Sequence, residues 1–149
     1  CKAAFCSHLS LWEYCIHLEE TIIICEHDAV FTAQLPHNLE MKTTHLCNIG
    51  HPSYGKWVTP DFGINKLVSK QYLPGAHAYV VTPTGAKELI NSARALGGQP
   101  TDVFINNGRF PWIQELYPWV AEAKDSFTTI QQTEGCLAKH GYGEAYDII

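Results

Sequence analysis

The sequence predicts a single α/β domain with a mixed sheet flanked by helices. An isoleucine-rich apolar run at residues 21–25 ends in charged residues, a pattern typical of a buried strand whose carboxyl end meets solvent. A helix-periodic segment precedes this run, and a second apolar strand at 73–82 is followed by another helical segment. Helices and strands that alternate in this way are characteristic of α/β proteins.

Length and composition narrow the functional classes. The 149 residues suffice for one well-packed core, and 46% apolar and 17% charged residues are ordinary for a globular protein. No apolar run approaches the ~20 residues that span a bilayer. The net charge of −5, with only 10 Lys and Arg, excludes a typical nucleic-acid-binding surface. An anionic ligand would therefore need a local cation, supplied by a helix N-terminus or a metal.

The six cysteines form neither a CxxC pair nor a zinc pattern. Cys15 and Cys25 lie in apolar runs, where a free thiol behaves as a small hydrophobic residue. We therefore expect reduced core cysteines and an intracellular, cytoplasmic protein, with disulfides of a secreted protein as the alternative.

The first helix is predicted to begin at Ser7, whose hydroxyl could cap it, and to run to Glu19 or Glu20. Leu9, Trp12 and Ile16 recur at helical spacing and indicate its buried face. We interpret Trp12 as a core residue. The neighbouring His8 is interpreted as a packing or capping residue that shapes the site and takes no part in chemistry.

The acidic triplet Glu26-His27-Asp28 follows the first predicted strand. If the strand continues through it, alternation places Glu26 and Asp28 on one side and His27 on the other. Adjacent carboxylates repel each other and are costly to bury unpaired, so a cation between them would stabilise both. The triplet thus indicates a metal site that receives an anionic ligand. Carboxylates that are solvated or paired with Lys or Arg are the alternative.

Residues 32–70 show no periodicity and are interrupted by several prolines and glycines. We predict a long loop region with one short strand at 56–59. Because loops of this length are commonly functional or mobile, a lid over the site is a reasonable expectation. Loops of this kind commonly carry binding residues.

The second half contains the clearest helix. Thr84 is predicted to cap it and Gly97-Gly98 to end it, and its buried face is predicted to comprise Ala86, Leu89, Ile90 and Ala93. Thr101 is predicted to cap a short helix with Asp102 in its first turn, where an acid commonly offsets the helix dipole. Residues 112–117 alternate like a last strand, and residues 135–149 read as a loosely ordered tail.

Together these segments resemble glycosyltransferase family 25, which includes bacterial lipooligosaccharide galactosyltransferases and collagen galactosyltransferases. The resemblance extends from about residue 6 to residue 130 and lies in several short motifs in order. These are the Cys-Ser-His helix at 6–12, the strand and acidic triplet at 22–30, the Ala-Tyr strand at 75–81, the Gly-Ala-Lys helix at 85–90, Pro100-Thr101-Asp102, and 117–120 with Ser126.

The resemblance implies a GT-A-like, Rossmann-like fold and the metal-dependent, inverting transfer of a hexose, such as galactose or glucose, from a UDP-sugar. The acceptor would be a hydroxyl of a saccharide, as in lipopolysaccharide biosynthesis, or a protein-linked hydroxyl. Glu26 and Asp28 would bind the donor through Mn²⁺ or Mg²⁺, which suit oxygen ligands. His77 would be a third ligand or a donor contact, and Asp102 the general base.

Two departures from the family pattern leave alternatives open. His27 replaces the middle Asp, and only five residues precede Cys6 where the family has a strand-helix-strand region. We therefore expect an N-terminally short member that lacks the usual βαβ portion. One alternative is a non-catalytic remnant that binds a sugar or a partner, with a homo-oligomer as one way to cover an exposed sheet edge. The other is a metal-dependent phosphoesterase, which usually needs more ligands than this spacing offers.

Overall fold

The computed structural model describes residues 2–53, 55–73 and 76–124. Within these residues the chain forms an α/β fold with a mixed sheet, as predicted. The helices are α1 (Lys2–Leu18), α2 (Leu39–Lys42), α3 (Pro83–Leu96) and α4 (Thr101–Phe104). The strands are β1 (Ile22–Cys25), β2 (Ala29–Phe31), β3 (Leu46–Asn48), β4 (Gly63–Lys66), β5 (Ala78–Val81), β6 (Gln114–Tyr117) and β7 (Ala121–Ala123).

The main sheet has the strand order β1-β5-β3-β6-β4, and β2 and β7 form a separate antiparallel pair. Only β3 and β6 run parallel within the five strands, while the other neighbours are antiparallel. On β5, Tyr79 and Val81 face one hydrophobic core and Ala78 and Val80 face the other. Both faces of β5 are therefore buried, which explains its uninterrupted apolar sequence.

Strand β1 lies at the edge of this sheet, so the prediction of a buried strand is wrong. Ile24 is buried, whereas Ile23 and Cys25 are exposed. A run of isoleucines does not distinguish a central strand from an edge strand that has one face packed on the core and the other face exposed. Cys25 is accordingly not a core residue, but Cys15 is. The described cysteines with an assigned state, Cys6, Cys15, Cys25 and Cys47, are all free thiols.

Helix α1 begins five residues before the predicted start. Ser7 lies inside it and donates its hydroxyl to the carbonyl of Ala3 at 3.0 Å, so Ser7 is not the cap. A serine within a helix can donate its hydroxyl to a carbonyl of the preceding turn. The sequence alone does not distinguish such a serine from one that caps the helix. Trp12 is fully buried as predicted, and α1 packs against α3 over the main core. In the described part of the chain, no helix combines the length and apolar character that crossing a membrane requires.

The predicted loop between residues 32 and 70 contains α2, β3 and β4, so that prediction is largely wrong. Strand β3 even occupies the centre of the main sheet, with all three of its residues buried. Because both faces of β3 are buried, its three residues show no alternation of apolar and polar side chains. A strand this short cannot be predicted from periodicity. The strand predicted at 56–59 does not form, although Val58 donates a backbone hydrogen bond to Ser69 at 3.1 Å.

Helix α3 matches the prediction except at its first turn. Thr82, not Thr84, is the cap, and its hydroxyl accepts a hydrogen bond from the backbone of Gly85 at 3.1 Å. Pro83 then occupies the first turn, where its missing N–H costs nothing. The predicted buried face is confirmed, and Gly97 ends the helix with a φ of 76°.

The last described elements also differ in detail. Helix α4 has Pro100 at its N-cap, so Thr101 is its first residue and not its cap, while Asp102 lies in the first turn as predicted. The strand predicted at 112–117 is β6, two residues shorter, and it is followed by β7. The tail predicted at 135–149 lies outside the described residues.

Replacement of Gly85 by alanine should destabilise the protein. A Cβ atom at this position would clash with the backbone carbonyl of His45, which cannot move without disturbing β3. We expect a loss of about 1–3 kcal/mol in the free energy of unfolding, the usual range for overpacking. Urea denaturation would measure it, with Gly108→Ala as the control, since its added Cβ would lie 3.4 Å from its nearest neighbour. Equal stability of the two variants would contradict the prediction.

Candidate functional site

The acidic triplet lies in a turn and not on a strand. Strand β1 ends at Cys25, and the backbone N–H of Ala29 donates to the carbonyl of Glu26 at 3.1 Å, which closes the turn into β2. The prediction that strand alternation aligns Glu26 and Asp28 is therefore wrong. The turn still holds the triplet beside β5, because Glu26 donates its backbone N–H to the carbonyl of His77 at 2.8 Å.

The Glu26 carboxylate is held by a histidine from α1. His8 Nε2 lies 3.1 Å from Glu26 Oε1, and His8 Nδ1 lies 2.8 Å from the hydroxyl of Tyr79. Trp12 Nε1 donates to the same hydroxyl at 2.9 Å. His8 and Tyr79 stack with ring centroids 5.7 Å apart. This network, defined by Glu26, His8, Tyr79 and Trp12, fixes one carboxylate oxygen from a buried, rigid support.

Tyr79 joins the network to the core. Its ring is fully buried, and burial raises the pKa of its hydroxyl well above the ordinary value, with a smaller contribution from the charge of Glu26. The hydroxyl therefore stays protonated. It accepts from Trp12, so it can donate its own proton to His8 Nδ1. That tautomer leaves His8 Nε2 with the proton that it donates to Glu26.

His77 lies beneath the acidic turn. Its ring is buried against Gly50, where any Cβ would come within 2.5 Å of His77 Nε2. Burial lowers the pKa of His77, while the carboxylates of Asp28 and Glu26 act in the opposite direction. The ring is thus a neighbour of both acids, but with about 1% of its surface exposed it supports the turn from below.

Asp102 approaches the same acidic turn from α4. Its Oδ1 accepts the backbone N–H of Val103 at 3.0 Å. Burial raises the pKa of Asp102, hydrogen bonds from the backbone partly offset this, and the negative charge of Glu26 raises it further. A carboxylate with a raised pKa is a stronger base than an ordinary aspartate, as proton abstraction requires.

Glu26 is therefore the common member of the site predicted from the sequence. Its charge acts on both His77 and Asp102, and Asp28 acts on His77. In the described ranges no three His, Cys, Asp or Glu side chains are grouped closely enough to enclose a metal ion. Two carboxylates nevertheless suit Mg²⁺ or Mn²⁺, since such ions often take one or two protein carboxylates and complete their shell with water and phosphate oxygens.

Sequence reasoning did not assign the support of this site. The sequence predicts that His8 shapes the site, and its contact with Glu26 shows how it does so. The sequence does not single out Tyr79 or Gly50 as part of the site. One available signal was the four-residue spacing of His8 and Trp12, which places two polar ring nitrogens on the buried face of one helix. Buried ring N–H groups need partners, and Tyr79 on a neighbouring apolar strand is a suitable one.

Acidification should destabilise the protein through His77. Burial lowers its pKa below the unfolded value of about 6.5, so its contribution to stability is complete above that pH and is lost as the pH falls through the folded pKa. We expect His77→Gln, neutral at every pH, to lose less stability than the wild type between pH 7.5 and pH 5. Thermal unfolding at a series of pH values would measure this, with the exposed His37→Gln as control. Parallel pH profiles for wild type and His77→Gln would refute it.

Comparison with known proteins supports the resemblance for the first part of the chain. Residues 1–71 match the model of glycosyltransferase family 25, described as an LPS biosynthesis protein. This stretch carries α1, His8 and the acidic triplet, whereas His77 and Asp102 lie beyond it, where the resemblance stays a prediction. No curated protein matches the chain. The match covers just under half of the 149 residues and supports a glycosyltransferase as the general class of protein.

Proposed function

We propose that this chain transfers a hexose, galactose or glucose, from a UDP-sugar to an acceptor hydroxyl that is part of a saccharide or is protein-linked. The observation that supports this most directly is the pairing of His8 with Glu26 at 3.1 Å, together with a half-buried second carboxyl group, Asp102, on which the charge of Glu26 acts. One acid is held in place by a histidine, and the other has a raised pKa. A carboxylate that is fixed in position suits the binding of a cation, and one with a raised pKa suits a general base.

Glu26 and Asp28 are the residues that would hold a divalent cation. Bound there, Mn²⁺ or Mg²⁺ would neutralise the charge that develops on the leaving diphosphate. The acidic chain otherwise offers little positive charge for a diphosphate, with a net charge of −5. His8 would fix one oxygen of Glu26 and leave the other for the ion, while His77 would support the turn that carries both carboxylates.

Asp102 is the proposed general base of an inverting reaction. Its carboxylate would take the proton of the acceptor hydroxyl as that oxygen forms a bond to the anomeric carbon and the bond from this carbon to the UDP oxygen breaks. The side chain is not wholly enclosed, so an acceptor can reach it. A positioned base of this kind typically contributes about 10²- to 10⁴-fold to the rate.

Calorimetric titration of UDP, UDP-galactose and UDP-glucose with and without Mn²⁺ would test the donor site. We expect metal-dependent binding that the Glu26→Ala/Asp28→Ala double variant loses. The matched control is Glu40→Ala/Glu88→Ala, which removes the same charge from two exposed positions and should bind like the wild type.

Absence of binding by folded wild-type protein, with or without Mn²⁺, would contradict the proposal that this chain carries a working donor site. Equal losses in the two double variants would show that only overall charge matters, and would contradict the assignment to Glu26 and Asp28. Binding that needs no metal and survives both double variants would favour a sugar-binding module without transfer.

A further inference from the structure

Four aromatic side chains form a partly exposed cluster near the candidate site. We call this set, His51, Trp57, Tyr117 and Trp119, the aromatic platform. His51 lies at its centre, with ring centroids 5.1 Å from Trp57 and 5.0 Å from Trp119, both nearly perpendicular. Tyr117 packs edge to face on Trp119 at 5.0 Å. These edge-to-face contacts are the favourable arrangement for aromatic rings and hold the platform together.

Backbone pairing fixes the position of the platform. The backbone of Ile49 accepts hydrogen bonds from Val120 at 3.0 Å and from Ala121 at 3.2 Å, and His51 donates to Ala121 at 2.7 Å. These bonds align the chain before His51 with the chain after Trp119. The rings therefore rest on paired backbone, although Trp57 itself remains 42% exposed.

The platform adjoins the acidic turn through His51 and Gly50. Gly50 contacts the ring of His77, and the charge of His51 acts on His77, as do those of Glu26 and Asp28. In addition, β7 continues from the platform and pairs with β2, which begins one residue after Asp28. The platform and the two carboxylates of the acidic turn therefore share His77 as a neighbour.

We propose that the aromatic platform binds a neutral hexose ring of the acceptor, stacked on Trp57 and bordered by Trp119. This assignment rests on the proposed transfer function and names the acceptor subsite of the same site. A hexose has an apolar face of C–H groups that suits an aromatic ring, and its hydroxyls can donate to nearby carboxylates. A neutral ligand is also favoured over an anionic nucleotide here, because Glu26 and Asp28 act on the same His77 as His51 does and the chain carries a net charge of −5.

Titration of the ¹⁵N-labelled protein with methyl β-galactopyranoside and methyl β-glucopyranoside, followed by NMR, would test this. The chain has four tryptophans, so four indole N–H signals report at once. We expect those of Trp57 and Trp119 to shift in a saturable manner at millimolar glycoside. The buried Trp12 and the partly buried Trp112, which stacks on His45, serve as internal references that should not move.

Variants make the test specific. Trp57→Ala should weaken glycoside binding by roughly two- to tenfold, the effect of losing an aromatic contact, while Trp57→Phe should retain most of it. Tyr72→Ala is the control, since Tyr72 is similarly exposed at 46% but pairs with Asn106 away from the platform. Trp57 is exposed, so these changes should leave the fold intact, which circular dichroism would verify.

Three results would overturn the inference. The first is no shift of Trp57 at 100 mM glycoside, and the second is an equal loss of affinity in the Tyr72 control. The third is a response to uridine but not to the glycosides, which would assign the platform to a nucleobase. The glycoside titration needs neither metal nor UDP. Its result is therefore independent of the UDP titration, and either proposal can be refuted while the other holds.

Discussion

Asp102→Asn should abolish most of the transfer activity and yet make the protein more stable at neutral pH. Asparagine keeps an acceptor oxygen for the N–H of Val103 but cannot take a proton from the acceptor. We expect a rate loss of about 10²- to 10⁴-fold, the usual contribution of a general base. The rate of UDP release from UDP-galactose or UDP-glucose in the presence of saccharide acceptors would measure it.

The stability gain follows from the raised pKa of Asp102. A carboxyl group whose pKa is higher in the folded than in the unfolded protein contributes its stability below about pH 3.9, and that contribution is lost as the pH rises through the folded pKa. A neutral asparagine removes this cost, so the variant should melt at a higher temperature than wild type at pH 7.5. The advantage should vanish near pH 3.5.

Asp61→Asn is the matched control for both measurements, since Asp61 is an exposed aspartate outside the site. It should change the unfolding free energy by no more than about 0.5 kcal/mol and leave the transfer rate unaltered. A stable, fully active Asp102→Asn protein would exclude Asp102 as the base. A variant that is inactive but less stable than wild type would show that the carboxylate is a structural group.

Tyr79→Phe, which removes the hydroxyl shared by His8 and Trp12, should strongly destabilise the protein. It removes the acceptor of Trp12 Nε1 and the partner of His8 Nδ1, and both ring nitrogens are buried. Leaving a buried polar group unsatisfied costs about 1–3 kcal/mol, so we expect a loss of about 2–4 kcal/mol for the pair. Because His8 then loses its tautomer partner, metal-dependent UDP affinity should fall as well.

A double-mutant cycle with Trp12→Phe would isolate the hydrogen bond. Trp12→Phe removes the indole N–H, so Tyr79→Phe should cost at least ~0.5 kcal/mol less in that background than in wild type. Tyr72→Phe, which removes an exposed hydroxyl, should cost almost nothing. Strictly additive losses in the cycle would contradict the role of Tyr79 as the shared partner. Unchanged UDP affinity would contradict its link to Glu26.

The elements that could be predicted from the sequence are those with a long period or a strong end signal. Helix α3 has a regular buried face and a terminal Gly97, and β5 is an apolar run between turn residues, so both were located. The cap of α3 was misplaced by two residues because Thr82 and Thr84 flank Pro83 and either hydroxyl is chemically suitable.

The rest depended on contacts between distant segments. Strand β3 is too short to show a period. Strand β1 is an edge strand because it is last in the sheet, and its neighbour there, β5, lies more than fifty residues away in the sequence. Glu26, Asp28 and Asp102 were chosen from local pattern and resemblance, but the support of Glu26 by His8 and Tyr79 joins three separate segments. Such long-range pairing leaves almost no local signature in the sequence.

The order of the strands also constrains how the chain acquires its structure. In the described part of the chain, no strand pairs with the strand that precedes or follows it in sequence. Strands β1 to β4 all precede residue 71 and none of them pairs with another. The segment that matches the family model therefore cannot assemble a sheet by itself. It must await β5, β6 and β7, so folding should be slow, of high contact order, and completed only after synthesis has passed residue 123.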